Sequence, residues 1–240
     1  MKPVLAQLRL ELTLTLRNGE QMLVNLLIPL GLLVFLSTVD LFDTDGDRVA
    51  TVAPAILALA VMSSALVSLG ISTGFERYYG VLKRLGATPL GRPRWIAAKF
   101  GSVIAIEMFQ WVVLSLVALW LGWSPDGGGW PAALGAAVLG TAAFGGLGLL
   151  LAGTLSGLTN LALCNGLYLV LMLTGGMVVP LDKMPGAMER VASVLPAAPL
   201  TDLLGGSLTA GEAPNAASWA VLGAWAVAAP IVAAWRFRWH

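Results

Sequence analysis

Glu107 is the side chain whose position asks most of the chemistry. It sits about a dozen residues into an apolar run, roughly 18 Å along a helix at 1.5 Å rise per residue. A carboxylate facing lipid at that depth costs at least about 2.5 kcal/mol, so it must face the bundle interior, a partner or a water-filled cavity. Gln110, at i+3, shares its face. Two readings stay open for the acid: a pathway-lining or ion-coupling group, and a protonated structural hydrogen-bonding residue. Asn160 and Asn165 carry the same ambiguity, between lining a pathway and satisfying helix ends or interhelical hydrogen bonds.

Other patterns fail on their chemistry. Gly70-Ile71-Ser72-Thr73-Gly74 fits the G-x-S-x-G of a hydrolase nucleophile, but the only histidine is His240 at the end of the chain. The same residues read as G-x-x-x-G, a close-packing face for helices in lipid, and Gly153-Thr154-Leu155-Ser156-Gly157 repeats that reading. No lysine follows a glycine, so there is no P-loop, and any ATP hydrolysis belongs to another chain. Cys164 is the single cysteine, which excludes an internal disulfide and a multi-cysteine metal site. Asp40, Asp43, Asp45 and Asp47 surround Gly46 but lack the glutamate that closes a calcium loop, so they read as a solvated hairpin. No catalytic residue, metal ligand or bound cofactor is expected.

The elements that hold these residues are dictated by composition. Of 240 residues 58% are hydrophobic and 11% charged, too little charge to cover a soluble domain. The chain is therefore expected to be an all-α integral membrane protein. About 20 apolar residues cross a bilayer, and gaps between charges mark where they lie. Glu20 to Asp40 encloses 19 uncharged residues, Arg48 to Glu76 encloses 27, and Glu212 to Arg236 encloses 23. The 55 uncharged residues between Asp126 and Asp182 suffice for two helices, broken near Ser156, Gly157, Thr159 and Asn160. Six spans follow, near 22–39, 50–74, 96–121, 131–155, 160–180 and 217–235, in one domain covering 1–240. With the N-terminus inside, eleven Lys and Arg lie on the inner face and three on the outer, which places both termini in the cytoplasm of a plasma-membrane protein. The net charge of +1 gives no general attraction to nucleic acid.

Residues 1–20 precede the first span. Val4, Leu5, Leu8, Leu12 and Leu16 share one side of a helix, with Arg9, Glu11, Thr13, Arg17 and Asn18 opposite, so a helix lying in the inner interface is expected. The longest inner segment, 75–95, offers Val81, Leu82 and Leu85 as a short apolar face suited to a groove on a partner, with Lys83 and Arg84 opposite; Thr88-Pro89 ends any helix.

That segment resembles the ABC-2 type permeases, the membrane subunits of ATP-binding-cassette exporters, whose E-R-x-x-G-T-L-x-x-L-x-x-T-P-L run is matched by Glu76, Arg77, Gly80, Leu82, Leu85, Thr88, Pro89 and Leu90, with Val81 in place of the threonine. Gly175 to Pro185, with Pro180, Asp182, Met184 and Pro185, is similar to the family's S-G-x-x-x-P-x-x-x-M-P run, and Leu195 to Asp202 to its L-P-x-x-x-x-x-D continuation. Within the class the chain is similar to actinobacterial daunorubicin-type efflux permeases. The resemblance implies that Glu76, Arg77, Gly80, Leu82, Lys83, Leu85, Thr88 and Pro89 form a coupling helix. It would be seated on an ABC ATPase dimer that carries the ATP and Mg, and a second permease copy or homologue would complete the passage for an amphiphilic substrate. It also implies that 181–212 is an outer segment with a short helix dipping into the outer leaflet. The competing reading is a non-transporting anchor for a cytoplasmic partner.

Overall fold

The computed structural model describes residues 2–238 except 40–47, 87, 89, 180 and 211–212, and gives only the backbone of 2, 20–24 and 182. The aspartate loop, Pro89, Pro180 and the Asp182 side chain therefore lie outside the described residues. Among those described, all regular structure is helical: α1 (Lys2–Arg17), α2 (Gly19–Thr38), α3 (Arg48–Tyr78), α4 (Val81–Gly86), α5 (Arg92–Trp120), α6 (Trp130–Thr154), α7 (Gly157–Thr174), α8 (Gly186–Ala192), α9 (Ala197–Leu208) and α10 (Ala216–Arg236).

Helices α3, α5, α6, α7 and α10 are each long and apolar enough to cross a bilayer. Helix α2, at 20 residues, has the length for a sixth crossing. The axis of the bundle is α3, in which every side chain from Ala53 to Leu66 is buried. Its middle is widened by a π-helical stretch, Ser63–Ser68.

In lipid the apolar effect does not drive helices together, so contact depends on small residues that let backbones approach. Here α6 supplies them. A Cβ on Gly148 would stand 2.9 Å from the Leu66 carbonyl oxygen of α3, and one on Gly146 would stand 2.5 Å from the Pro230 nitrogen of α10. Gly70 of the G-x-S-x-G pattern has the same role, its Cβ position lying 3.0 Å from both Cys164 Sγ and Gly148 Cα.

The segment after α7 differs from the sequence expectation. Helix α7 ends at Thr174, short of residue 180, and α8 and α9 form a pair bent by 86°. The pair does not cross. Helix α7 starts beside Tyr78, at one end of α3, and ends at Gly175 against Ala197, where α9 begins. Helix α9 then runs to the other end of α3, where Thr209 Oγ1 donates to the Ala50 carbonyl and the Leu208 carbonyl accepts from Asp126 N. From there α10 returns to the first end, and Arg238 N donates to the Gly153 carbonyl.

Only α8 presents the apolar surface expected of a leaflet-dipping helix, through Met188 and Val191, followed by Val194. Helix α9 is a core element, with Leu200, Leu203, Leu204 and Leu208 wholly buried against α3 and α6. The reason is their spacing: these residues, at i, i+3, i+4 and i+8, form an apolar stripe that fits between two helices. Between the limbs, the Val194 carbonyl accepts from Trp225 Nε1 of α10 at 2.8 Å.

Replacing Gly148 with Val should force α3 and α6 apart and cost about 1–3 kcal/mol. Thermal unfolding in detergent should show a lowered midpoint, whereas Gly223→Val, at a position with open space around it, should leave the midpoint unchanged.

Candidate functional site

The site grows from a lysine in the wrong solvent. Lys99 lies two turns into α5 and is 2% exposed. Its ammonium has three N–H donors and no means of reaching water, so it needs carboxylates. It finds two. Lys99 Nζ donates to Glu11 Oε2 at 2.7 Å, and it also pairs with Glu76 Oε1. Gln7, one turn before Glu11 on α1, holds the second oxygen, donating through Nε2 to Glu11 Oε1 at 2.7 Å. The ammonium also stands 5.8 Å from the centre of the Trp95 ring. One cation thereby ties α1, the end of α3 and α5 into a unit.

This pairing corrects the orientation expected for α1. The helix packs on α5 through Gln7 and Glu11, with Leu8 against Gly101, and exposes Leu5, Leu10, Leu14 and Leu16. Glu11, read from the sequence as a residue of the polar outer face, points inward because a buried counter-charge waits there. Lys99, counted among the inner-face charges, is interior.

The next residue along α3 makes a second clamp. Arg77 donates through one guanidinium nitrogen to the carbonyls of Ala152 at 2.8 Å and Leu155 at 2.9 Å. Those oxygens belong to the end of α6, where terminal carbonyls lack helical partners and a cation is favoured. Ser156 then caps α7, its hydroxyl accepting from Thr159 N. Glu76 and Arg77 therefore grip opposite sides of the bundle from adjacent positions.

Beyond them the chain turns through Gly80, whose φ of +69° suits a residue without Cβ, and enters α4. Leu82, expected on the face offered to a partner, is 0% exposed and belongs to the core of this chain, with Leu90 beside it and Leu85 partly covered. The apolar face of α4 is thus spent on the bundle. What faces outward is Tyr78 at 67% and Tyr79 at 66% exposure, together with Lys83, Arg84 and Thr88. Tyr78 and Tyr79 meet edge to face with ring centres 5.2 Å apart, and Phe75 stacks on Tyr79.

Deeper in the bundle, Glu107 is buried at 6% exposure and faces α6, where Thr141 Oγ1 bonds to its Oε2 at 2.7 Å. Among the described residues its other oxygen has no hydrogen-bond partner, and the group lines a cavity of about 60 Å3 with Ile104, Met108, Trp111, Leu134 and Val138. Gln110 turns to different neighbours. It accepts from Ser64 Oγ at 2.7 Å, inside the π-helical stretch, and donates to the Asn25 carbonyl of α2 at 2.9 Å. Asn160 is wholly buried and locks α7 to α3, donating to the Gly70 carbonyl at 2.9 Å. Asn165 is exposed and bonds back to the Leu161 carbonyl of its own helix. In the outer segment, Met184 is buried and Pro185 precedes α8, while Asp202 of α9 accepts from Ser218 of α10 at 2.6 Å. Periodicity alone missed Lys99 and Glu11; a lysine seven residues inside an apolar helix was the available signal.

Replacing Lys99 with Met should strand two carboxylates and destabilise the fold by about 3 kcal/mol or more. Lys99→Met combined with Glu11→Gln and Glu76→Gln should recover most of that loss. Chemical denaturation in detergent measures both, and equal loss in the two variants would show that the charges are not coupled.

The helical bundle has sequence similarity to known proteins over most of its length. The profile of the ABC-2 type transporter family aligns with residues 4–208. A Bacillus subtilis (strain 168) protein named "Putative transport permease YvfS" is 26% identical over 213 residues, covering 78% of this chain and 77% of that protein. The matched stretch runs from the α1 face that carries Glu11, through the Glu76–Arg77 clamps, to the end of the re-entrant helix α9, and on that ground the chain belongs to the ABC-2 type transporter family.

Proposed function

We propose that this multi-pass membrane protein is the permease subunit of an exporter for amphiphilic molecules, driven by ATP hydrolysis on a separate ABC ATPase dimer. The observation that carries this reading is the division of residues 76–90. Glu76, Arg77 and Leu82 bind the bundle, and Tyr78, Tyr79, Lys83 and Arg84 look outward. A segment held so firmly on its inner side and offering aromatic and basic groups on its outer side suits a lever. Force applied to the tyrosine–lysine face passes through Glu76 to α1 and α5, and through Arg77 to the α6–α7 turn. In this reading both termini are cytoplasmic, since α1, α4 and the last turn of α10 lie at the end of the bundle richest in Lys and Arg.

The passage itself is formed with a second permease copy or a homologue. Asn165 supports this, because an amide exposed on a spanning helix is better satisfied by a partner or a wet path than by lipid. Glu107 is the acid of the transport pathway in this account, its unbonded oxygen available to a water or a polar substrate group.

Tyr79→Asp with Lys83→Glu should abolish co-purification with the ATPase while leaving membrane insertion and the thermal midpoint intact. Leu82→Asp should instead lower the midpoint, since it places a charge in the core. Retained ATPase binding in the Tyr79/Lys83 variant would sink the lever assignment.

A further inference from the structure

At the depth of Glu107, α5 and α6 part and leave a notch of about 60 Å3. Val61 of α3 closes its inner end, and the exposed side chains of Ile104, Met108, Leu134 and Val138 ring its mouth on the outer surface of the chain. The space is several times the roughly 10–15 Å3 that one water needs. Among the described residues no Lys, Arg or second carboxylate lines it, and the two other polar side chains that do are already engaged. Trp111 Nε1 donates to the Leu57 carbonyl. Thr141 Oγ1 lies 2.8 Å from the Ala137 carbonyl oxygen and 2.7 Å from Glu107 Oε2. Two hydrogen bonds of that length need two protons, and a hydroxyl carries one. Thr141 therefore donates to Ala137, one turn back along its own helix, and the second proton is the carboxyl's own. Glu107 donates it from Oε2 to Thr141, which leaves Oε1 as a carbonyl oxygen, buried and without a donor among the described residues. A buried acceptor left unpaired is costly, so the notch lacks one hydrogen-bond donor.

From this count of protons we infer that the α5–α6 notch binds a hydroxyl group carried on an apolar body, the head of an uncharged amphiphilic alcohol. The hydroxyl donates to Glu107 Oε1, and the apolar remainder lies between Ile104 and Met108 on one side and Leu134 and Val138 on the other. The proton on Glu107 decides the charge of the guest. Beside a neutral acid, an ammonium brings a full charge into the apolar middle of the bundle with no counter-charge to meet it. An alcohol needs one acceptor and finds it. The inference rests on the reading of Glu107 as the acid of the transport pathway and gives that acid a substrate class. Binding is a property of the permease alone and does not require ATP coupling.

The test is photolabelling of the full-length permease in phosphatidylcholine nanodiscs, without ATPase or nucleotide, by octanol that carries a diazirine on its chain. Illumination should label residues 104–111 and 134–141, which hold the notch, and excess unlabelled octanol should remove that label. The methyl ether of the same probe, which cannot donate, and the matching octylammonium should each label there about tenfold less. Glu107→Gln, which keeps a carbonyl toward the notch and offers an N–H to Thr141, should label as the wild type does. Glu107→Leu, which removes the acceptor, and Ala137→Leu, which fills the notch and leaves the acid in place, should both lose the label. Thermal midpoints confirm that each variant is folded. Three results overturn the assignment. Equal labelling by ether and alcohol would mean simple partition into an apolar groove. Stronger labelling by the ammonium, or loss of label in Glu107→Gln, would mean an ionised acid. Undiminished label in Ala137→Leu would mean that nothing is seated in the notch. The Tyr79/Lys83 variant should label normally whether or not it binds the ATPase, so the notch and the lever fail separately.

Discussion

A single ammonium group shared by two carboxylates ties three helices of this protein together. Lys99 cannot reach water from its place on α5, and the cost of burying it alone would exceed what packing returns. Glu11 and Glu76 meet that cost from two other elements, so α1, α3 and α5 are bound through one charge. Such a cluster is a weak source of net stability, since the cost of burying three charges offsets most of what their attraction returns.

The remaining helices are joined by a different means. Where charge is absent, backbones approach to van der Waals distance over glycine, along α6 toward α3 on one side and toward α10 on the other. Dispersion forces fall off steeply with separation, so these contacts resist small shifts while leaving no polar bond to break. The contrast has a mechanical sense. At the clamp end, helices are tied by ionic and hydrogen bonds from Glu76 and Arg77; deeper in the bundle α6 lies against α3 and α10 over glycine, with hydrogen bonds from Gln110, Thr141 and Asn160 among the other contacts. One polar crossing, Ser64 to Gln110 to Asn25, coincides with the π-helical stretch of α3, a feature often found where a helix serves function.

The re-entrant pair shapes the opposite end. Helix α9 fills the space between α3 and α6 that the short α7 leaves open, and its anchors to Ala50 and Asp126 close the bundle there. On that side α8 turns the apolar residues Met188 and Val191 outward.

The all-helical, apolar character of the chain, the break near Ser156 and the Glu76–Leu90 run were legible in the sequence, because each rests on a property of the chain alone: composition, a cluster of helix-breaking residues, or a local string of residue types. Tertiary structure decided the rest. Helical periodicity defines a face but not its neighbour, which is why Leu82 could be read as a docking knob when it is a core residue, and why the face of α1 carrying Glu11 could be assigned to solvent. Charge counting treats every lysine as a surface group, whereas Lys99 is interior only because Glu11 and Glu76, 88 and 23 residues away in sequence, fold onto it. Nothing local encodes a partner at that distance; it exists only once three helices have met.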